Sequence, residues 1–320
     1  MKRIVLLVCL ALAGASMASC SESDAKSSGG DTPTVKVVLG PASATLPVYR
    51  ALDQDYFTDA GINVEVTTLQ SGPDIINAVM GGSGDIGFTG TEAALIAVGK
   101  GLPLRVVAGA SLTDQTEEAS TVGVMVAGDS SISSFADLAG KTVAVNALGV
   151  GMEPAIRASV DAAGGDGEAV NTTVVPIPNM IAALEAKRVD AIAVLEPFLT
   201  LGAQSGLKTI GDPLLATQPD ASQTLYVATS EYAEQNAKAL ESFKEALGRA
   251  TEDLAADADL APDLAAKHLE LDPALAQAVR FPRFDAAITS QQLAVVGDFA
   301  LQVGNIEQPL DYDSLIWASS

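Results

Sequence analysis

Strand-like and helix-like runs alternate along this chain, and the alternation begins twice. Residues 35–39 form a short β-branched strand closed by Gly40 and Pro41, and residues 48–54 then read as a helix. A strand at 62–67, a helix at 73–81 carrying Ile76, Val79 and Met80 on one face, a strand at 85–88, a helix at 91–99 and a strand at 104–109 follow. Parallel strands need crossovers long enough to hold a helix, so this rhythm implies a mostly parallel sheet covered on both faces. The rhythm restarts with a strand at 142–145, a helix at 152–163, a strand at 172–176, a helix at 179–187 and a strand at 191–195. The reading is an α/β chain of two lobes. Two β-rich runs, 122–127 and 225–229, are placed at the crossings, so that the second lobe (123–223) is inserted into the first (35–122 plus 224–320). Beyond the second crossing, Leu240, Phe243, Leu247 and Leu254, and then Leu293, Val296, Ala300 and Val303, hold helical stripes expected to face a core.

The composition supports a folded chain and narrows its partners. Of 320 residues, 48% are hydrophobic and 18% charged, which excludes a disordered or fibrous chain. The formal net charge of −22 repels polyanions, so nucleic acid is not an expected partner. With one histidine and two cysteines, no metal-ligand cluster or cofactor is expected. The histidine, His268, lies in an Ala- and Asp-rich stretch and is expected on a solvated helix face rather than in a catalytic role.

The first residues give a cellular address. Lys2 and Arg3 precede an apolar run from Ile4 to Met17 that is too short to span a bilayer as a helix and reads as a secretory signal. It ends at Met17-Ala18-Ser19-Cys20, which resembles the lipobox of bacterial lipoproteins, although Met17 stands where Leu is commoner. On this reading residues 1–19 are removed and Cys20 carries palmitate or another acyl chain. Residues 20–34, rich in Ser, Gly and Asp, then form a flexible tether. The alternative is ordinary cleavage after Ala18 or Ser19 that leaves Cys20 a spare thiol. Cysteine arithmetic favours lipidation, because Cys9 is discarded with the signal and Cys20 then has no disulfide partner.

In open α/β sheets ligands bind beyond the carboxyl ends of the strands. The loops after Leu39, Thr67, Phe88, Val145 and Leu195 are therefore expected to face a cleft, and they supply Thr45, Ser71, Thr89, Thr91, Asn146, Glu196 and Phe198 as candidate ligand-binding residues. Each hydroxyl has a helix cap or turn as its alternative role. Thr91 with Glu92, and the run from Gly149 to Pro154, also begin helices, whose free backbone N–H groups suit an electronegative group. These loops contain no Lys or Arg, whereas Glu196 is present and Asp114, Glu117 and Glu118 crowd the approach to the first crossing. The pattern points to a neutral or zwitterionic nitrogen-bearing solute whose amino group donates to Glu196. The alternative for Glu196 is a bond that only orients Pro197.

Several short motifs recur in a recognisable order. Tyr56-Phe57 with Gly61, Ala78 before Gly84-Asp85-Ile86-Gly87, and Gly101-Leu102-Pro103 come first. Asp137-Leu138-Ala139-Gly140-Lys141, Val189-Asp190-Ala191 and Glu196-Pro197-Phe198 follow. Taken together, residues 35 to 316 resemble the solute-binding proteins of the nitrate, sulfonate, taurine and thiamine-pyrimidine group of ABC importers. That resemblance implies a type II periplasmic-binding fold, two lobes joined by a two-strand hinge. It further implies a monomer with no catalytic residues, no metal and no cofactor, held at the outer face of the membrane through Cys20, which delivers a small-molecule solute to an ABC permease. An enzyme on the same fold, and a solute-sensing lipoprotein without an importer, are the alternative readings. Trp317 is expected to pack on the first lobe as an apolar latch.

Overall fold

The structure is a computed structural model and describes residues 32–318; the expected signal, Cys20 and most of the tether lie outside the described residues. The first body begins with β1 (Thr34–Leu39), α1 (Leu46–Asp53), α2 (Tyr56–Asp59), β2 (Asn63–Thr68), α3 (Gly72–Met80), β3 (Ile86–Gly90), α4 (Thr91–Gly99) and β4 (Leu104–Leu112). The second contains β5 (Val122–Val126), β6 (Thr142–Val145), α5 (Met152–Ala162), β7 (Asn171–Val174), α6 (Ile177–Glu185), β8 (Ala191–Leu195), α7 (Phe198–Gln204), β9 (Lys208–Gly211) and α8 (Pro213–Thr217). The chain then returns through β10 (Ser222–Thr229), α9 (Ser230–Gln235), α10 (Ala237–Ala256), α11 (Leu260–His268), α12 (Pro273–Ala278), β11 (Arg283–Phe284), α13 (Ser290–Gln302) and α14 (Tyr312–Leu315).

Two mixed sheets result, ordered β11-β4-β10-β3-β1-β2 and β7-β6-β8-β5-β9. In each, a parallel trio (β2-β1-β3 and β7-β6-β8) is flanked by a strand running the other way, β10 or β5. The runs expected at the crossings fall one in each sheet: Val122 opens β5, and 225–229 lies within β10. The chain passes between the sheets along 113–121 and 212–221, and these two segments bond to each other.

One carboxylate sets the strand register in each body by the same device. Asp85 donates its N–H to the Lys36 carbonyl and accepts the Lys36 N–H on Oδ2, both at 2.8 Å. Asp190 makes the equivalent pair with Thr142, again at 2.8 Å. Gly84, just before Asp85, lies against Val38, whose side chain a Cβ there would overlap.

The stripe on α10 is buried as its period requires. Phe243 stacks on Phe57 with ring centroids 5.6 Å apart and meets Tyr226 edge-on at 5.4 Å. Burying a side chain of this kind removes apolar surface worth about 2 kcal/mol from water. Trp317 joins the same core, with its N–H on the Val106 carbonyl at 2.8 Å and Lys244 over its ring. His268 departs from its expected solvated position. It stacks on Tyr49 at 4.6 Å and shares the Asp53 carboxylate with Lys267. An i, i+4 pattern reports the helix face but not that another helix covers it.

Candidate functional site

The loops that follow β3 and β6 come from different sheets, and they meet. Glu92, in the first turn of α4, accepts the Gly151 N–H at 2.6 Å on Oε2 and the Asn305 amide at 2.9 Å on Oε1. Gly151 precedes α5, and its φ of 67° is a conformation that glycine adopts without a steric penalty. Two residues on, Glu153 accepts the Gly149 N–H at 3.1 Å and pairs with Arg157 at 2.5 Å. Arg157 in turn donates to the Gly167 and Val170 carbonyls. The start of α5 thus holds two of the protein's own carboxylates, one from each body. Burial pushes the Glu92 carboxyl above its ordinary range, helped by the nearby charge of Glu153 and opposed by the Asn305 and Gly151 bonds. Among the described residues no cation pairs with Glu92.

At the end of β8, Glu196 is 2% exposed and fully engaged. Its carboxylate accepts the Thr200 N–H at 3.1 Å and hydroxyl at 2.9 Å, and the Arg280 side chain lies 3.3 Å from Oε1. Arg280 also donates to the Glu118 carbonyl at 3.1 Å. The expectation of a cleft without cations is corrected here, because the cation arrives from a segment 84 residues away in sequence. Its loop is remote from the strand ends along the chain, and only the return of the chain past α12 brings it to Glu196.

The acids before the first crossing likewise serve the crossing. Asp114 accepts both the N–H and the hydroxyl of Thr121 at 2.8 Å. Asp212 accepts the Ser120 hydroxyl at 2.7 Å and caps α8 through Leu214 and Leu215. Burial raises both carboxyls above their ordinary range against these hydrogen bonds. Beside the crossing lies a cavity of about 390 Å³, lined chiefly by Glu117, Ser120, Leu199, Thr209, Ile210 and Arg280. That volume falls in the range of small-molecule sites.

None of the seven candidate residues lines this cavity. Thr45 is buried and donates to the Ala42 carbonyl at 2.7 Å, and Ser71 caps α3 through the Asp74 N–H. Thr91 bonds Ser222 at 2.9 Å, tying α4 to β10. Phe198 opens α7 and packs on a core of the second body. Two candidates remain free. The Asn146 side chain is exposed and makes no hydrogen bond among the described residues. The Thr89 hydroxyl is buried without a partner and faces Gly72 in the first turn of α3, where a Cβ would come within 2.8 Å of it. Glu92 was legible in sequence only as a first-turn acid and Arg280 not at all, save that it is a cation in an acidic chain. Among the described residues no set of His, Cys, Asp and Glu is arranged for a metal, and no helix is long and apolar enough to cross a membrane.

Comparison with known proteins gives a consistent picture. The family described as NMT1/THI5 like matches residues 43–261. The formylaminopyrimidine-binding protein of Halalkalibacterium halodurans is 25% identical over 242 residues, covering 74% of this chain and 71% of that protein. The periplasmic aliphatic sulphonate binding protein SsuA of Escherichia coli superposes with a TM-score of 0.74 at 18% identity, over 90% of this chain and 92% of its own. The periplasmic nitrate-binding protein NrtA of Synechocystis PCC 6803 gives 0.71 at 16% identity, over 89% and 85%. The fold is that of the periplasmic binding proteins, two α/β lobes linked by two crossings.

Proposed function

The chain belongs to the NMT1/THI5-like family, and from that premise we propose that it captures a small nitrogen- or sulfur-containing organic solute between its lobes and delivers it, unchanged, to an ABC permease. The observation that carries this reading is the bond from Gly151 to Glu92, because it sets the strand ends of one lobe against those of the other. Ligands of open α/β sheets sit at such ends. The partnerless hydroxyl of Thr89 supports it, since a buried polar group without a partner costs stability that a bound molecule would restore, and the exposed Asn146 side chain is free to bond a solute. The relatives named for binding a formylaminopyrimidine, a sulfonate and nitrate are consistent with a small polar solute.

A solute that touches both lobes favours the closed arrangement by its differential affinity for it. Catalysis would require a general acid, base or nucleophile presented to that solute. The carboxylates at the two lobe ends are instead occupied by backbone amides, Thr200 and Arg280, and His268 is engaged with Asp53 and Tyr49, so the reading is a carrier. Anchoring through an acylated Cys20 after signal cleavage would hold the body near its permease on a tether. Native mass spectrometry of the protein purified from its own host tests the proposal. One small organic mass retained and released intact is the expected result, and retention of none, or its conversion to a product, overturns it.

A further inference from the structure

The start of α5 is a place where an anionic solute would find backbone amides, and the protein's own carboxylates take two of those that lead into it. The Gly151 N–H is taken by Glu92 from the opposite lobe at 2.6 Å, and the Gly149 N–H by Glu153 at 3.1 Å. Glu92 is 6% exposed and Glu153 8% exposed, so neither is a loose surface acid that an incoming ion could brush aside. Their charges are not balanced alike. Arg157 neutralises Glu153 and is itself fixed by the Gly167 and Val170 carbonyls, whereas Glu92 has an amide on each oxygen and, among the described residues, no cation. An anion brought to this end of the cleft therefore finds those two donors taken and meets a carboxylate that, among the described residues, has no cation beside it.

We propose that Glu92 is a specificity-determining residue that bars free anions from the cleft, so that the solute this chain takes is uncharged or cationic at that end. This rests on the solute-binding reading and narrows it: of the chemistries represented among its relatives, a neutral nitrogen heterocycle or an amine fits, and nitrate or a simple sulfonate does not. Rejection by a repulsive group is a general route to specificity, and here the same carboxylate also ties the lobes together.

Calorimetric titration of the full-length protein and of Glu92→Gln with methanesulfonate, nitrate and 4-aminopyrimidine tests it. Gln keeps one acceptor for Gly151 or Asn305 and removes the charge. The expected result is that the wild-type protein binds both anions only at millimolar concentration or above, and that Glu92→Gln tightens at least one of them by tenfold or more without a matching gain for 4-aminopyrimidine. Tight binding of either anion to the wild type, or a folded Glu92→Gln with no gain, overturns the inference. Should Glu92→Gln not fold, the wild type decides alone: binding of both anions at least tenfold weaker than that of 4-aminopyrimidine is expected, and either anion bound as tightly as 4-aminopyrimidine overturns the inference. Failure of the carrier reading looks different, because then no small organic molecule stays with the wild-type protein purified from its host, whatever the anions do.

Discussion

Glu92 and Glu196 occupy corresponding places in the two lobes, each just past the third strand of a parallel trio and each almost wholly buried. Their solutions to burial differ. Glu196 is satisfied by Thr200 in the helix that follows it and by a cation, Arg280, so its charge is balanced on the spot. Glu92 reaches across to Gly151 and to Asn305, and its charge stays unbalanced. A buried carboxylate with a cation is a structural element, whereas one with only amide donors keeps a field that a bound molecule must answer. The cleft is thus asymmetric in charge although its two walls are built from the same βα units.

The largest effect expected from this contrast lies on the balanced side. Arg280→Met leaves the Glu196 carboxylate buried with Thr200 and the backbone N–H of residue 280 as donors and no cation, and losing a charge partner in such a place costs about 2 kcal/mol. Because Arg280 itself is 38% exposed on its side chain, water recovers part of the loss and holds the figure below that of a fully buried pair. A fall of several degrees in the melting temperature is expected. An unchanged midpoint would show that the two carboxylates are equally unsupported and would end the comparison.

A smaller effect separates the two sides by pH. Burial raises the folded-state carboxyl of Glu92 above its unfolded value of 4.5, so the folded protein holds that proton more tightly than the unfolded chain does. The stability this contributes is complete below the unfolded value and is lost as the pH rises through the folded one. Urea midpoints of the wild type and Glu92→Gln should therefore diverge in favour of the wild type as the pH is lowered from neutral toward 4.5. Asp114 and Asp212 are raised in the same way and add to the acid stability of both proteins, which is why the difference between the two is the quantity to measure. A difference that does not move with pH would place Glu92 in water rather than in the cleft wall.

The parts of this molecule that could be read from sequence are those set by neighbours along the chain. The βα alternation and the stripe on α10 each depend on residues a few positions apart, and each stands close to where the periodicity places it. The short elements β9, α8 and α12 carry no full apolar period and were not visible. At the site the limit was distance. Loop position named Glu196 and Thr89 as candidates, but that Arg280 would answer Glu196, or that Glu92 would bond Gly151, depends on contacts 84 and 59 residues apart that no local pattern encodes. Thr45, Ser71 and Thr91 show the converse, since their hydroxyls took the turn, cap and strand-tying roles open to any threonine or serine at such a position.

The smallest expected effects belong to two threonines of the Glu92 wall that differ only in whether a partner is present. Thr91 bonds Ser222 at 2.9 Å inside the protein, so Thr91→Val leaves the Ser222 hydroxyl with only a long contact to the Thr224 carbonyl at 3.5 Å and should lower stability by about 1 kcal/mol. Thr89 has a hydroxyl equally buried and no partner, so Thr89→Val replaces an unanswered polar atom with a methyl group of similar size and should leave the melting temperature of the ligand-free protein unchanged or slightly higher. Its cost should appear in the solute instead: a hydrogen bond worth about 1 kcal/mol corresponds to roughly a fivefold loss of affinity. Paired thermal melts and titrations of the two variants with the solute recovered from the host read both quantities. If Thr89→Val destabilises the protein as much as Thr91→Val and leaves affinity intact, its hydroxyl is satisfied within the fold, and the wall that carries Glu92 has no vacant donor to offer a guest.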